Sequence, residues 1–165
     1  MKVVNSMIQQ FEHETQTTRR HFERLPDDKL DWRPHEKSFT AGALASHIVE
    51  CIRWGDAIFN LDELDFDPAT YKPYQMATVA DLLTTFDADV ARGRQVLATV
   101  DEAALEQLWR LKVNGRTFFE KTREDVFRDF TLNHLIHHRG QFSVYLRLLD
   151  VAVPGTYGPT ADEKF

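Results

Sequence analysis

Four stretches of this 165-residue chain space their apolar residues three, four and seven apart, and none is apolar all round. That spacing gathers the apolar side chains on one face of a helix, which must then be buried against a neighbour. Over residues 2–24 the face carries Val4, Met7, Ile8, Phe11, Phe22 and Leu25, with Thr15 and Thr18 as a polar notch along it. Over 41–59 the stripe is Leu44, His47, Ile48, Cys51, Trp54 and Ile58, with His47 near its middle and Ser38 or Thr40 placed to cap the start. Over 79–100 it is Val79, Leu82, Leu83, Phe86, Val90 and Leu97. The last runs from after Thr122 to about 149 and carries Val126, Phe127, Phe130, Phe142, Tyr145, Leu148 and Leu149. On this reading His13 points away from the core and His21 lies on a solvated flank. The fold class is all-α: a four-helix bundle forming a single domain over 1–165.

The connections add detail. Segment 60–77 is acidic, holds two prolines and has no clean period. A helix 2–helix 3 connection of that length is expected to be a crossover, a lid or a binding loop. Residues 108–121 read as a small β-hairpin before helix 4, with Asn114-Gly115 as a type I′ turn. The segment after helix 4 is an irregular tail broken by Pro154 and Pro159.

Net charge is −6 with no cluster of Lys and Arg, which argues against a nucleic-acid partner, since phosphate neutralisation dominates that affinity. No apolar run approaches the roughly 20 residues that span a bilayer, so no membrane partner is expected. The opening MKVVNSMIQQF lacks the apolar core of a signal peptide, and the single Cys51 excludes an internal disulfide; both lead to an expected cytoplasmic location.

Three of the seven histidines fall within NHLIHHRGQF, residues 133–142. With Val126 at zero on a helical wheel, the apolar face centres at about 90°; His134 falls at about 80° and His138 at about 120°. Gln141 lies among them at about 60°, His137 at the edge at about 20°, and Arg139 outside. His134 and His138 form an i, i+4 pair able to chelate one ion, and His47 adds a third imidazole from helix two. Three neutral imidazoles would hold a divalent metal and leave a position open for water or substrate. The plain alternative is a set of hydrogen-bonded core histidines. The zinc-protease helix motif does not fit, because Leu135 follows the first histidine. Nor does the di-iron pattern, since no inward carboxylate is expected on helices one and three.

No catalytic base is evident. Glu50, three residues beyond His47, reads first as a partly solvated acid, with support of the site or general base as alternatives. Cys51 reads as a small buried hydrophobe, with a fourth ligand as the alternative. Thr15 and Thr18 either line the pocket or bond their own backbone. Trp32, Trp54, Trp109, Tyr71 and Tyr74 are wall candidates, core packing being the stronger reading for the tryptophans. Asp62, Glu63, Asp65 and Asp67 read as a solvated face.

The stretches LDWRP (30–34), SFTAGALASHIVE (38–50), HLIHHRGQFSVYLR (134–147) and VPGTYGPTADE (153–163) resemble the DinB-like (DinB/YfiT) superfamily over nearly the whole chain. The resemblance implies a four-helix bundle whose metal ligands are His47, His134 and His138, the three that the wheel selects. It implies one divalent metal ion (Zn, Ni, Mn or Fe), with His137 as a neighbour and Gln141 orienting a ligand or packing at the site. It further implies a metal-dependent enzyme acting on a small molecule by S-transfer from a low-molecular-weight thiol of the bacillithiol or mycothiol type, or by hydrolysis. A non-catalytic, damage-inducible stress-response protein that binds metal or a small molecule is the alternative. Homodimers occur among such relatives.

Overall fold

The computed structural model describes residues 2–164. The predicted helices are present as α1 (Lys2–Phe22), α2 (Ala41–Asn60), α3 (Val79–Leu97) and a composite fourth. Thr40 and not Ser38 caps α2, its hydroxyl accepting from the Ala43 amide at 3.1 Å. Thr78 caps α3 in the same way. The third helix stops at Leu97, and Asp101 caps a separate short α4 (Glu102–Glu106). The fourth helix runs through three pieces: α5 (Arg123–Val126), a π-helical segment (Phe127–Asn133) and α6 (His134–Leu148).

β2 (Leu108–Val113) and β3 (Arg116–Thr122) form the expected hairpin. Its turn residues Asn114 (φ 50°) and Gly115 (φ 76°) both take the left-handed values that a type I′ turn requires. A third strand, β1 (Glu63–Phe66), lies in the long acidic connection and pairs parallel to β2, from Glu63 opposite Arg110 to Phe66 opposite Val113. Four residues are too few to show a period. The backbone ladder to β2 makes them a strand, and surface contacts add to it: Glu63 pairs with Lys112 and Arg110, and Asp65 accepts from the Gly115 amide. Glu63 and Asp65 thus bond the hairpin, on a face that stays largely solvated, with Asp62 and Asp65 exposed.

α2 packs against α3 on one side and the composite helix on the other, burying Leu44, Ala45, Ile48, Val49, Ile52 and Ile58. Trp109 is fully buried and packs with Trp54 and Phe119, while Phe130 packs on both of these, so Trp54 and Trp109 belong to packing. Arg123 turns inward and bonds the Ile58 and Leu61 carbonyls, capping the end of α2.

Three expectations are corrected. A π segment closes wider turns than an α-helix, so a phase carried from Val126 in steps of about 100° is lost before His134. Within α6 the buried side is Leu135, His138, Arg139, Phe142, Tyr145 and Leu146. Arg139, expected outside, is 2% exposed, and His134 moves to the flank. Glu14 on α1 is an inward carboxylate after all, buried because it pairs with Arg139. His21 is fully buried, since the C-terminal tail folds across the flank where solvent was expected.

At Gly93 an added Cβ would lie 2.7 Å from Cζ of the buried Phe11, so Gly93→Ala is expected to cost about 1–3 kcal/mol by urea unfolding. Gly140 meets nothing within 4 Å, and Gly140→Ala is expected to add about 0.5–1 kcal/mol. Burial pushes the His21 imidazole down, and its Nε2 has no partner. The unfolded chain therefore takes up a proton that the folded chain refuses: stability is full above pH ~6.5 and falls as pH drops below it. Urea midpoints measured across that range should fall less steeply in His21→Gln.

Candidate metal centre

α2 and α6 face each other across a seam, and each places imidazoles on the flank of its buried face. His47 lies one step off Ile48, so it sits at the rim of the α2 stripe and not in its middle; its side chain is 28% exposed. The His47, His134 and His138 rings form a triangle with centroids 5.1, 4.7 and 4.7 Å apart. Nε2 of His47 and Nε2 of His134 stand 3.4 Å from each other. Ligand-capable atoms of His47, Cys51 and His134 all lie within 4.8 Å of one another.

The outer nitrogens are already engaged. Nδ1 of His47 donates to Glu50 Oε2 at 2.9 Å, and Nδ1 of His138 donates to Gln141 Oε1 at 2.8 Å. Each bond fixes the tautomer, leaving the Nε2 lone pair bare. Burial, then the His138, His47 and His137 rings, pushes His134 down to about 4; burial also lowers His138. Both are neutral near pH 7, the form that binds metal.

The 3.4 Å between the two Nε2 atoms tests the fit. Two imidazole nitrogens at ~2.05 Å from one tetrahedral zinc stand about 3.3 Å apart. Two imidazole nitrogens at that spacing suit a divalent ion.

Glu50 is partly buried, its side chain 11% exposed, and it is held from two sides. Its Oε1 accepts from the Tyr74 amide at 2.6 Å, tying the helix 2–helix 3 connection to the histidine. Burial would raise its carboxyl, yet bonds from His47, Tyr74 and Tyr71 hold it below the usual carboxylate range. Tyr71 and Tyr74 thus stand beside the site. Periodicity missed Phe39, whose ring lies 5.9 Å from that of His47. It also missed an adjoining cleft of about 430 Å³, lined by Lys37, Phe39, His138, Gln141, Val144 and Tyr145. Phe39 itself, a bulky apolar residue inside the SFT cap, was the available signal. His137 is exposed, its ring 4.8 Å from His138. Thr15 and Thr18 bond the Phe11 and Glu14 carbonyls of their own helix.

Burial and the Glu50 charge push the Cys51 thiol up to about 12, and its sulfur donates to the His47 carbonyl at 3.3 Å.

The sequence model of the DinB family matches residues 1–164. The chain belongs to the DinB family. Uncharacterized protein YrdA of Bacillus subtilis is 25% identical over 165 residues, covering 98% of this chain and 92% of that protein. Among solved structures, a DinB-like protein of Bacillus cereus superposes with a TM-score of 0.73 at 21% identity, over 93% of this chain and 97% of that one. YfiT of Bacillus subtilis, described as a probable metal-dependent hydrolase with an unusual four-helix bundle topology, gives 0.67 at 13% identity, over 90% and 89%. These likenesses place the DinB chain among helical-bundle proteins. Among its described residues no helix is long and apolar enough to cross a membrane.

Native Cys51 should resist iodoacetamide at pH ~8 and react once the chain is unfolded in urea, read by mass spectrometry. Rapid alkylation of the folded protein would contradict the burial argument.

Proposed function

We propose that this DinB-family protein is a metal-dependent enzyme whose one divalent ion is held by His47, His134 and His138. The observation that carries the reading is the facing pair of Nε2 atoms, with two rings of the triangle held by their Nδ1 bonds. Bound there, the ion supplies a Lewis acid that makes a water molecule or an external thiol a nucleophile near neutral pH. Hydrolysis is the first reading, supported by the description of the structurally similar YfiT. Transfer of a low-molecular-weight thiol is the second, favoured by the neutral donor set, which suits an anionic sulfur as well as an anionic oxygen.

The chain's own groups divide the remaining work. Glu50 orients His47 and makes it a stronger donor; Gln141 orients His138 without adding charge. We assign Cys51 to packing; its sulfur lies within 4.8 Å of the His47 and His134 ligand atoms, so metal retention in Cys51→Ala decides between packing and a fourth ligand. Phe39, Val144 and Tyr145 offer an apolar wall to a small-molecule substrate in the cleft beside His138.

Metal content by mass spectrometry on protein purified without a tag should give about one ion per chain. The folded His134→Ala/His138→Ala variant should lose it, Cys51→Ala should keep it, and Glu50→Gln should weaken it about 10–100-fold. A parent that carries no metal and takes up no zinc, nickel, manganese or iron would sink the reading. Screening the loaded protein with 4-nitrophenyl esters, and with an aryl halide plus thiol, separates hydrolysis from transfer.

A further inference from the structure

Resting on that metal reading, we propose that Arg139, gripped by Glu14 and the tail's Tyr157, is a positioning residue that sets the rotation of α6 and so the placing of His138. Arg139 follows His138 directly, so the two move together about the helix axis. The guanidinium donates to the Glu14 carbonyl at 3.1 Å, pairs with the Glu14 carboxylate at 2.6 Å, and donates to the Tyr157 hydroxyl at 3.0 Å. That hydroxyl in turn lies 2.9 Å from both Glu14 carboxylate oxygens. Both ionic side chains are almost completely buried, at 3% and 4% exposure.

A further directional bond on α6, from the Tyr145 hydroxyl to the Phe39 carbonyl at 3.2 Å, lies more than a turn beyond the histidines. The π segment before His134 breaks the register inherited from α5, and its buried Thr131 hydroxyl has no partner. Leu135, Phe142 and Leu146 contribute apolar contacts, which have no preferred direction. A planar guanidinium bound on two edges does have one. The tolerance is tight: metal–nitrogen distances vary by about 0.2 Å, whereas rotating a helix by ~10° moves an atom near its outer radius by about 1 Å.

The tail is built to hold Tyr157 there. Asp162 pairs with Arg147 on α6 and accepts from the Val153 amide at 2.9 Å. Glu163 pairs with Arg20 and Arg24 beside α1 and accepts from the Gly155 amide at 2.9 Å. Between these anchors the Tyr157 ring stacks on His13, with the Arg139 guanidinium 5.5 Å from its centroid. The motif VPGTYGPTADE is thus a clasp across the α1–α6 seam, reaching the metal centre through Arg139.

The test compares Arg139→Lys and Tyr157→Phe with Leu82→Ala, a core variant on α3 that lowers stability away from the seam. Zinc affinity by chelator competition and ring-to-ring nuclear Overhauser contacts between His47 and His138 in the zinc-free protein are both measured. The expected result is an affinity loss of about tenfold and weakened ring contacts in both seam variants, with Leu82→Ala unchanged in each. Seam variants that lose stability but keep the parent's ring contacts overturn the proposal. A parent that takes no zinc defeats the metal reading instead, while the ring contacts still decide where Arg139 places His138. If Arg139→Lys does not fold, Tyr157→Phe, which removes one hydroxyl, decides alone.

Discussion

The docking of α2 between α3 and the composite helix is the constraint on which the site depends. Ile48, Val49, Cys51 and Ile52 are fully enclosed by that packing, which leaves His47 and Glu50 at the rim. At that rim His47 is held by Glu50 while its Nε2 faces His134 across the seam. A deeper position would close the seam; a fully exposed one would leave the rings without neighbours to hold them.

A shared device serves both helices. His47 is oriented by Glu50 and His138 by Gln141, each three residues further along its own helix, so neither ring depends on a partner from elsewhere for its tautomer. The two orienting groups differ in charge, which makes His47 the stronger electron donor. Glu50 has a second duty through the Tyr74 amide, so the helix 2–helix 3 connection and the histidine are parts of one hydrogen-bonded unit.

Much of this was legible in the chain. One-sided periodicity located the four helices, and Asn114-Gly115 located the hairpin. His134 and His138 were legible as a pair because both lie beyond the π segment, so their i, i+4 relation survives it; their phase relative to Val126 does not. That is why Arg139 was misplaced. An arginine defaults to solvent unless its partner is known, and Glu14 lies 125 residues away. His21 was misread because the irregular tail has no period to announce where it lands. β1 was hidden because four residues are too few to show alternation and the strand it pairs with lies beyond α3 in the chain.

The parallel pairing of β1 with β2 has a consequence for the order of assembly. Glu63 must find Arg110 across the whole of α3, a large loop to close, whereas the β2–β3 hairpin and the helices need only local contacts. Joining His47 to His134 closes a larger loop still, 87 residues, so loop-closure entropy leads us to expect the hairpin first, the β1 pairing next and the meeting of the imidazoles last. The connection that carries Tyr71 and Tyr74 would then be anchored before the histidines come together. A nascent chain would pass through a stage in which that wall stands and the imidazole cluster is still open.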